Sequence, residues 1–156
     1  MWLAAPTRIS IAIGGSVALV GEALRVWASG HLNKAREVTT SGPYRWLPHP
    51  LYVGSSIMGI GLAIASANVV VVLLIVLYLA STLTAAMRTE EAFLRGAFGD
   101  RYDTYRSGAS VSIAQRFSLA RALANHEYRA VAGLVLAVLL LILKATYNGT
   151  FWRSAG

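Results

Sequence analysis

Tyr44, Arg45, His49 and Tyr52 stand close together in the stretch Ser41-Gly42-Pro43-Tyr44-Arg45-Trp46-Leu47-Pro48-His49-Pro50-Leu51-Tyr52-Val53-Gly54. A polar, proline-punctuated loop here runs directly into an apolar segment. Proline suits the first turn of a helix, because the N–H it lacks would have no partner there. Pro50 is therefore expected to open a helix, with His49 as its N-cap. The unbonded N–H groups of a first turn and the positive end of the helix dipole favour an anion, such as a carboxylate or phosphate, beside His49. Tyr44 and Tyr52 add hydroxyl donors and aromatic faces. Trp46 reads instead as an anchor at headgroup depth, where Trp and Tyr are enriched. His49 fits a ligand role and that interfacial belt equally well.

A second polar cluster is Met87-Arg88-Thr89-Glu90-Glu91-Ala92-Phe93-Leu94. Two adjacent acids at the end of an apolar segment can accept hydrogen bonds from ribose hydroxyls or neutralise a cationic ligand. The plainer reading is a solvated helix end with a Glu91–Arg95 pair at i, i+4, worth ~0.2–0.5 kcal/mol. Gly99 is expected to cap the helix that carries the acids. Tyr102 and Tyr105 share a face if a helical turn resumes after it. Further on, Ile113, Phe117, Ala120 and Ala124 recur at helical spacing, flanked by Arg116 and Arg121. This predicts a short basic amphipathic helix lying on anionic lipid, and a lipid headgroup is the sharper ligand for it.

The elements that must hold these residues are greasy. The chain has 156 residues, 56% hydrophobic and 13% charged, against about 25% charged in an ordinary soluble domain, with a mean hydropathy of +0.55. Apolar segments run from about Ile9 to Trp27, Leu51 to Ala65, Val69 to Met87 and Tyr128 to Tyr147. A spanning helix needs ~20 apolar residues, or as few as ~17. The expected fold is all-α: a polytopic membrane protein of about four transmembrane helices, with a central tight hairpin and a short interfacial amphipathic helix. Only Ser66-Ala67-Asn68 separates the second segment from the third, and their polar groups can satisfy the exposed helix ends. Ser55, Gly59, Ala63 and Ala67 form a small-residue stripe on the second segment. Helices in lipid approach closely along such stripes, and the third segment is the expected partner. Residues 1–156 make one domain, with the chemistry-bearing core at about 40–110.

The absence of cysteine excludes disulfides, cysteine–zinc sites and thiol nucleophiles, and no metal site is expected. The net charge of +7 does not signal nucleic acid, because the basic residues flank apolar segments. With the 28–50 and 88–127 stretches on one side, that side and its flanks hold eleven of the 14 basic residues; Arg8, Lys144 and Arg153 are on the other. The positive-inside rule then puts both polar loops in the cytoplasm and both termini outside. The Asn148-Gly149-Thr150 sequon carries no functional weight. The first segment is expected to be retained as an anchor, since Glu22 and Arg25 interrupt the place where a signal-peptide cleavage site would sit. The Ala/Arg-rich composition has a bacterial character, so a bacterial inner membrane is the expected location.

In their order, Gly42-Pro43-Tyr44-Arg45, His49-Pro50-Leu51-Tyr52-Val53-Gly54, a helical hairpin, Glu90-Glu91 with Leu94, and Phe98-Gly99 with Tyr102 and Tyr105 resemble one superfamily. It comprises the isoprenylcysteine carboxyl methyltransferases and phospholipid N-methyltransferases, and the resemblance covers residues 20 to 110. It implies an S-adenosylmethionine-dependent membrane methyltransferase acting on a lipid or small amphiphile. The loop before the hairpin and the acidic helix end would enclose the cofactor. By resemblance, His49 and Tyr52 lie at its methionine end, Glu90 or Glu91 holds its polar groups, and Tyr44, Arg45, Pro50 and Tyr105 complete the candidate set. No catalytic base is assigned. The family reads Arg-His-Pro where this chain has Pro48-His49-Pro50; Arg45, three residues upstream, is the substitute donor. Two other readings accompany this one: an NADPH-dependent membrane reductase of related architecture, and a non-catalytic membrane protein that kept the fold.

Overall fold

Thr7 starts the first helix with a reciprocal cap. Its hydroxyl accepts from the Ser10 N–H at 3.1 Å, and the Ser10 hydroxyl accepts from the Thr7 N–H at 2.9 Å, which satisfies two of the N–H groups a helix start leaves open. In the computed structural model this helix, α1, is Arg8–His31. A one-turn 3-10 helix follows at Gly42–Arg45, then α2 (Pro50–Ser66), α3 (Val69–Phe98), α4 (Leu119–Ala124) and α5 (Tyr128–Tyr147). The structure describes residues 3–32, 39, 41–47, 49–98 and 116–150, apart from the side chains at 90, 91, 93–95, 97 and 98. Pro48, Gly99, Tyr102, Tyr105 and Ile113, all singled out above, lie outside the described residues.

The protein is an all-helical membrane protein. Arg8–His31, Val69–Thr89 and Tyr128–Tyr147 are each long and apolar enough to cross a bilayer. Helix α2, with 17 residues, is the short apolar helix of the set. The hairpin between α2 and α3 is as tight as its three-residue separation predicts. Ala67 takes a left-handed conformation at φ 47°, and the Ser66 hydroxyl returns to the Ala63 carbonyl at 2.7 Å. The Asn68 side-chain oxygen accepts from the N–H groups of Val70 at 3.0 Å and Val71 at 3.2 Å, so a single residue caps α3.

Packing differs from the expected stripe. Gly59 does face α3, against Leu79 and Ile75. The closest helix pair, however, is α1 with α2. Gly14, Ala18 and Gly21 of α1 meet Gly61, Ala65, Met58 and Gly54 of α2 backbone to backbone. A methyl group on Gly21 would lie 2.5 Å from the Met58 nitrogen and 2.6 Å from the Gly54 oxygen, so only a hydrogen fits. Two small-residue faces share α2, and the tighter one turns towards α1. Helix α3 packs chiefly on α2, and its apolar span is nowhere buried. Helix α5 closes the other side, where Leu141 and Ala145 meet Ala4, Ile11 and Ala65 in a buried cluster.

The two ends of the bundle are distinct. At one end, the Ala5 N–H donates to Ser66 and the Thr150 hydroxyl donates to the Pro6 carbonyl at 2.7 Å. At the other, the Ser118 N–H donates to Gly30, and the Asn125 amide donates to the carbonyls of Ser29 and Leu32, both at 3.0 Å. The loops before α2 and before α5 therefore share an end, as the charge pattern requires. The amphipathic helix is shorter than its spacing suggested. Ser118 caps α4 at Leu119, which leaves Phe117 outside the helix, and the buried residue is Ala122, not Ala120 or Ala124.

Candidate functional site

Pro50 is the first residue of α2 and is fully buried, with His49 at the N-cap position. The His49 imidazole does not cap the helix; its ring lies 5.6 Å from that of Tyr52, tilted by 37°. The turn before it is held by its own backbone, with the Tyr44 N–H donating to Ser41 and the Trp46 and Leu47 N–H groups to Pro43. Tyr44 is buried and Arg45 exposed. The Arg45 guanidinium sits 5.9 Å above the Trp46 ring, and Trp46 is 70% exposed, which suits a headgroup anchor. Gly42 has φ +60°, and a side chain there would strike the His31 ring at 2.7 Å. His31 is buried in the last turn of α1, with its Nδ1 3.0 Å from the Trp27 carbonyl and its ring against Phe117. It fastens the loop to α1, a role that the sequence reading missed.

The acidic pair is carried on the far end of α3, one continuous helix from Val69 to Phe98. Because α2 and α3 form an antiparallel hairpin and Gly59 faces Leu79, the equal helical rise of ~1.5 Å per residue on both sides brings position 89 level with position 49. The backbone of Glu90 and Glu91 thus returns to the end of the bundle where His49 and Tyr52 stand. A groove of about 500 Å³ lies between α2 and α3, lined by Ser55, Gly59, Leu62, Tyr78, Leu79 and Thr82 among others. Of the candidate residues, Tyr44, Arg45, His49, Pro50 and Tyr52 are described with side chains, Glu90 and Glu91 by backbone only, and Tyr105 is outside.

Beside α2 lies an ionic cluster that sequence reading did not assemble. Glu22 and Arg25 of α1 and Glu127, just before α5, are all largely buried. Arg25 Nε is 2.8 Å from Glu127 Oε1 and 3.5 Å from Glu22 Oε2, and its Nη1 donates to the Ser55 hydroxyl. Glu22 and Arg25 at i, i+3 inside an apolar helix were the available signal, since ionisable groups in a span are costly and usually functional. Glu127 could not have been paired with them from the sequence.

Residues 11–101 match the family model for phospholipid methyltransferases. Among curated relatives, the chain is 39% identical to the protein-S-isoprenylcysteine O-methyltransferase of Schizosaccharomyces pombe over 74 residues, 47% of this chain and 31% of that protein. It is 35% identical to the cobalt-zinc-cadmium resistance protein CzcN of Cupriavidus metallidurans, over 55% of this chain and 39% of that one. It is 28% identical to the nickel-cobalt-cadmium resistance protein NccN of Alcaligenes xylosoxydans xylosoxydans, over 67% and 48% respectively. The chain thus spans between about a third and a half of the length of these relatives. No solved structure matches it significantly.

Proposed function

The chain belongs to the phospholipid methyltransferase family of membrane proteins, and from that premise we propose that it transfers a methyl group from S-adenosylmethionine to a membrane lipid or small amphiphile. The observation that carries the proposal is the hairpin register, which returns the Glu90-Glu91 backbone to the level of His49 and Tyr52. One bundle end then combines a helix N-terminus, suited to an anionic group, with two acids suited to hydroxyl groups.

In this reading the cofactor supplies an activated methyl on a sulfonium. The α2 N-terminus and His49 hold its carboxylate, with the Tyr52 ring beside them, and Glu90 or Glu91 accepts from its ribose hydroxyls. Tyr44 and Tyr105 line the site, and Arg45 stands in for the arginine that Pro48 replaces. The protein's main task is alignment of the acceptor with the methyl carbon. A carboxylate acceptor needs no base. An amine must be neutral when it attacks, and His49 or a nearby glutamate can take its proton. The acceptor reaches the site laterally from lipid, and the cofactor arrives from the cytoplasm.

Calorimetry on the purified protein in detergent tests this. S-adenosylmethionine is expected to bind and NADPH not. NADPH binding alone would turn the reading to a reductase, and binding of neither to folded protein would turn it to a non-catalytic role. His49→Ala and Glu91→Gln should each weaken cofactor binding tenfold or more, about 1.4 kcal/mol. Unchanged affinity in both would refute the site.

A further inference from the structure

The Glu22–Arg25–Glu127 cluster sets two carboxylates against one guanidinium, all inside the bundle. Such clusters are poor sources of stability, because well-packed apolar residues often serve as well or better. Its geometry points instead to α2. The Arg25 stem crosses the α2 backbone at Gly54, where a methyl group would lie 2.7 Å from Arg25 Cγ. Arg25 Nη1 donates to the Ser55 hydroxyl, which itself donates to the Leu51 carbonyl at 2.9 Å. Leu51 follows Pro50, so this chain of hydrogen bonds ends in the turn that carries His49 and Tyr52.

Glu127 is what aims the arginine. His126 takes a left-handed conformation at φ 60°, the Glu127 N–H donates back to Ala122, and the chain turns sharply between α4 and α5. The Glu127 carboxylate makes no cap for α5 and points inward to Arg25 Nε. Without it, Glu22, one turn back on the same helix and 3.5 Å from Nε, is the carboxylate left to the guanidinium.

We propose that Glu127, beyond the family-matched residues 11–101, is a positioning residue for the cofactor site. Acting through Arg25, Ser55 and Leu51, it fixes the pose of the first turn of α2, and so of His49. This rests on the methyltransferase reading for its effect on cofactor affinity, but not for its effect on His49. The test uses the full chain in detergent, with imidazole NMR to follow the three histidines and calorimetry with S-adenosylmethionine. Glu127→Gln is expected to shift the His49 ring signals and weaken binding about tenfold. Ser55→Ala, which removes the middle of the relay and leaves every charge in place, should shift the same signals if Glu127→Gln does not fold. Leu141→Ala, a cavity at the other end of the bundle, should lower the thermal midpoint with His49 and the affinity unchanged. The proposal is overturned if His49 signals in Glu127→Gln, or in Ser55→Ala where that variant stands in, match the wild type. It is equally overturned if Leu141→Ala shifts them as much, since the effect would then be loss of stability alone. If the wild type binds no S-adenosylmethionine, the methyltransferase reading fails and the His49 signals still decide the role of Glu127.

Discussion

Replacing Gly21 with alanine should destabilise the protein although alanine is the better helix former. Within a helix, glycine to alanine gains roughly 0.5–1 kcal/mol from the lower entropy of the unfolded chain. The new methyl at position 21 would meet the Met58 nitrogen at 2.5 Å and the Gly54 oxygen at 2.6 Å, and ordinary contact begins at 3.4 Å. Both obstacles are backbone, so neither can rotate away, and α1 and α2 must separate by most of an ångström. A gap of that size forfeits about a quarter to a half of each van der Waals well along the seam, and overpacking a close interface costs about 1–3 kcal/mol. The net expectation is a loss of about 1–2 kcal/mol. Gly15 supplies the control: it is on the same helix, and a methyl there meets nothing within 4 Å, so Gly15→Ala should be neutral or stabilising. Thermal unfolding of the two variants in the same detergent compares them directly. If Gly21→Ala proves as stable as Gly15→Ala, the backbone-to-backbone approach of α1 and α2 is wrong.

Asn68→Ala should cost about 1 kcal/mol in the same assay, because it removes the cap of α3 at Val70 and Val71; an unchanged midpoint would refute the capping role. Pro48→Arg should strengthen S-adenosylmethionine binding by adding a charge-assisted contact, worth ~1.5–3 kcal/mol, beside that of Arg45, and flat or weakened affinity would mean that Pro48 belongs to a differently built site. The chain has no cysteine, so single cysteines report orientation cleanly. A Trp46→Cys variant should react with a membrane-impermeant maleimide from the cytoplasmic face and Tyr147→Cys from the opposite face. Both positions are exposed, at 70% and 88%, and the reverse pattern would invert the proposed topology.

Much of this protein was legible in its sequence because the forces involved are local. Apolar runs of spanning length have to become helices in lipid, since no other partner exists for their backbone groups. Pro50 opens α2 through its own covalent geometry, and the polar Ser66-Ala67-Asn68 turn satisfies the helix ends beside it through short-range hydrogen bonds; both were readable. The charge asymmetry likewise anticipated that the loops before α2 and α5 share one end. Small residues were a weaker guide. Gly54, Gly59 and Gly61 look alike in sequence, and which face meets which helix depends on how all the helices pack together. The tertiary structure alone decided that α1 takes the closer contact with α2 and that His31 holds the loop at Gly42. It also brought Glu127 to Arg25 across about a hundred residues of chain. The local pattern names Glu22 as one partner of the buried Arg25, but the second and nearer acid is chosen only where the start of α5 docks against α1.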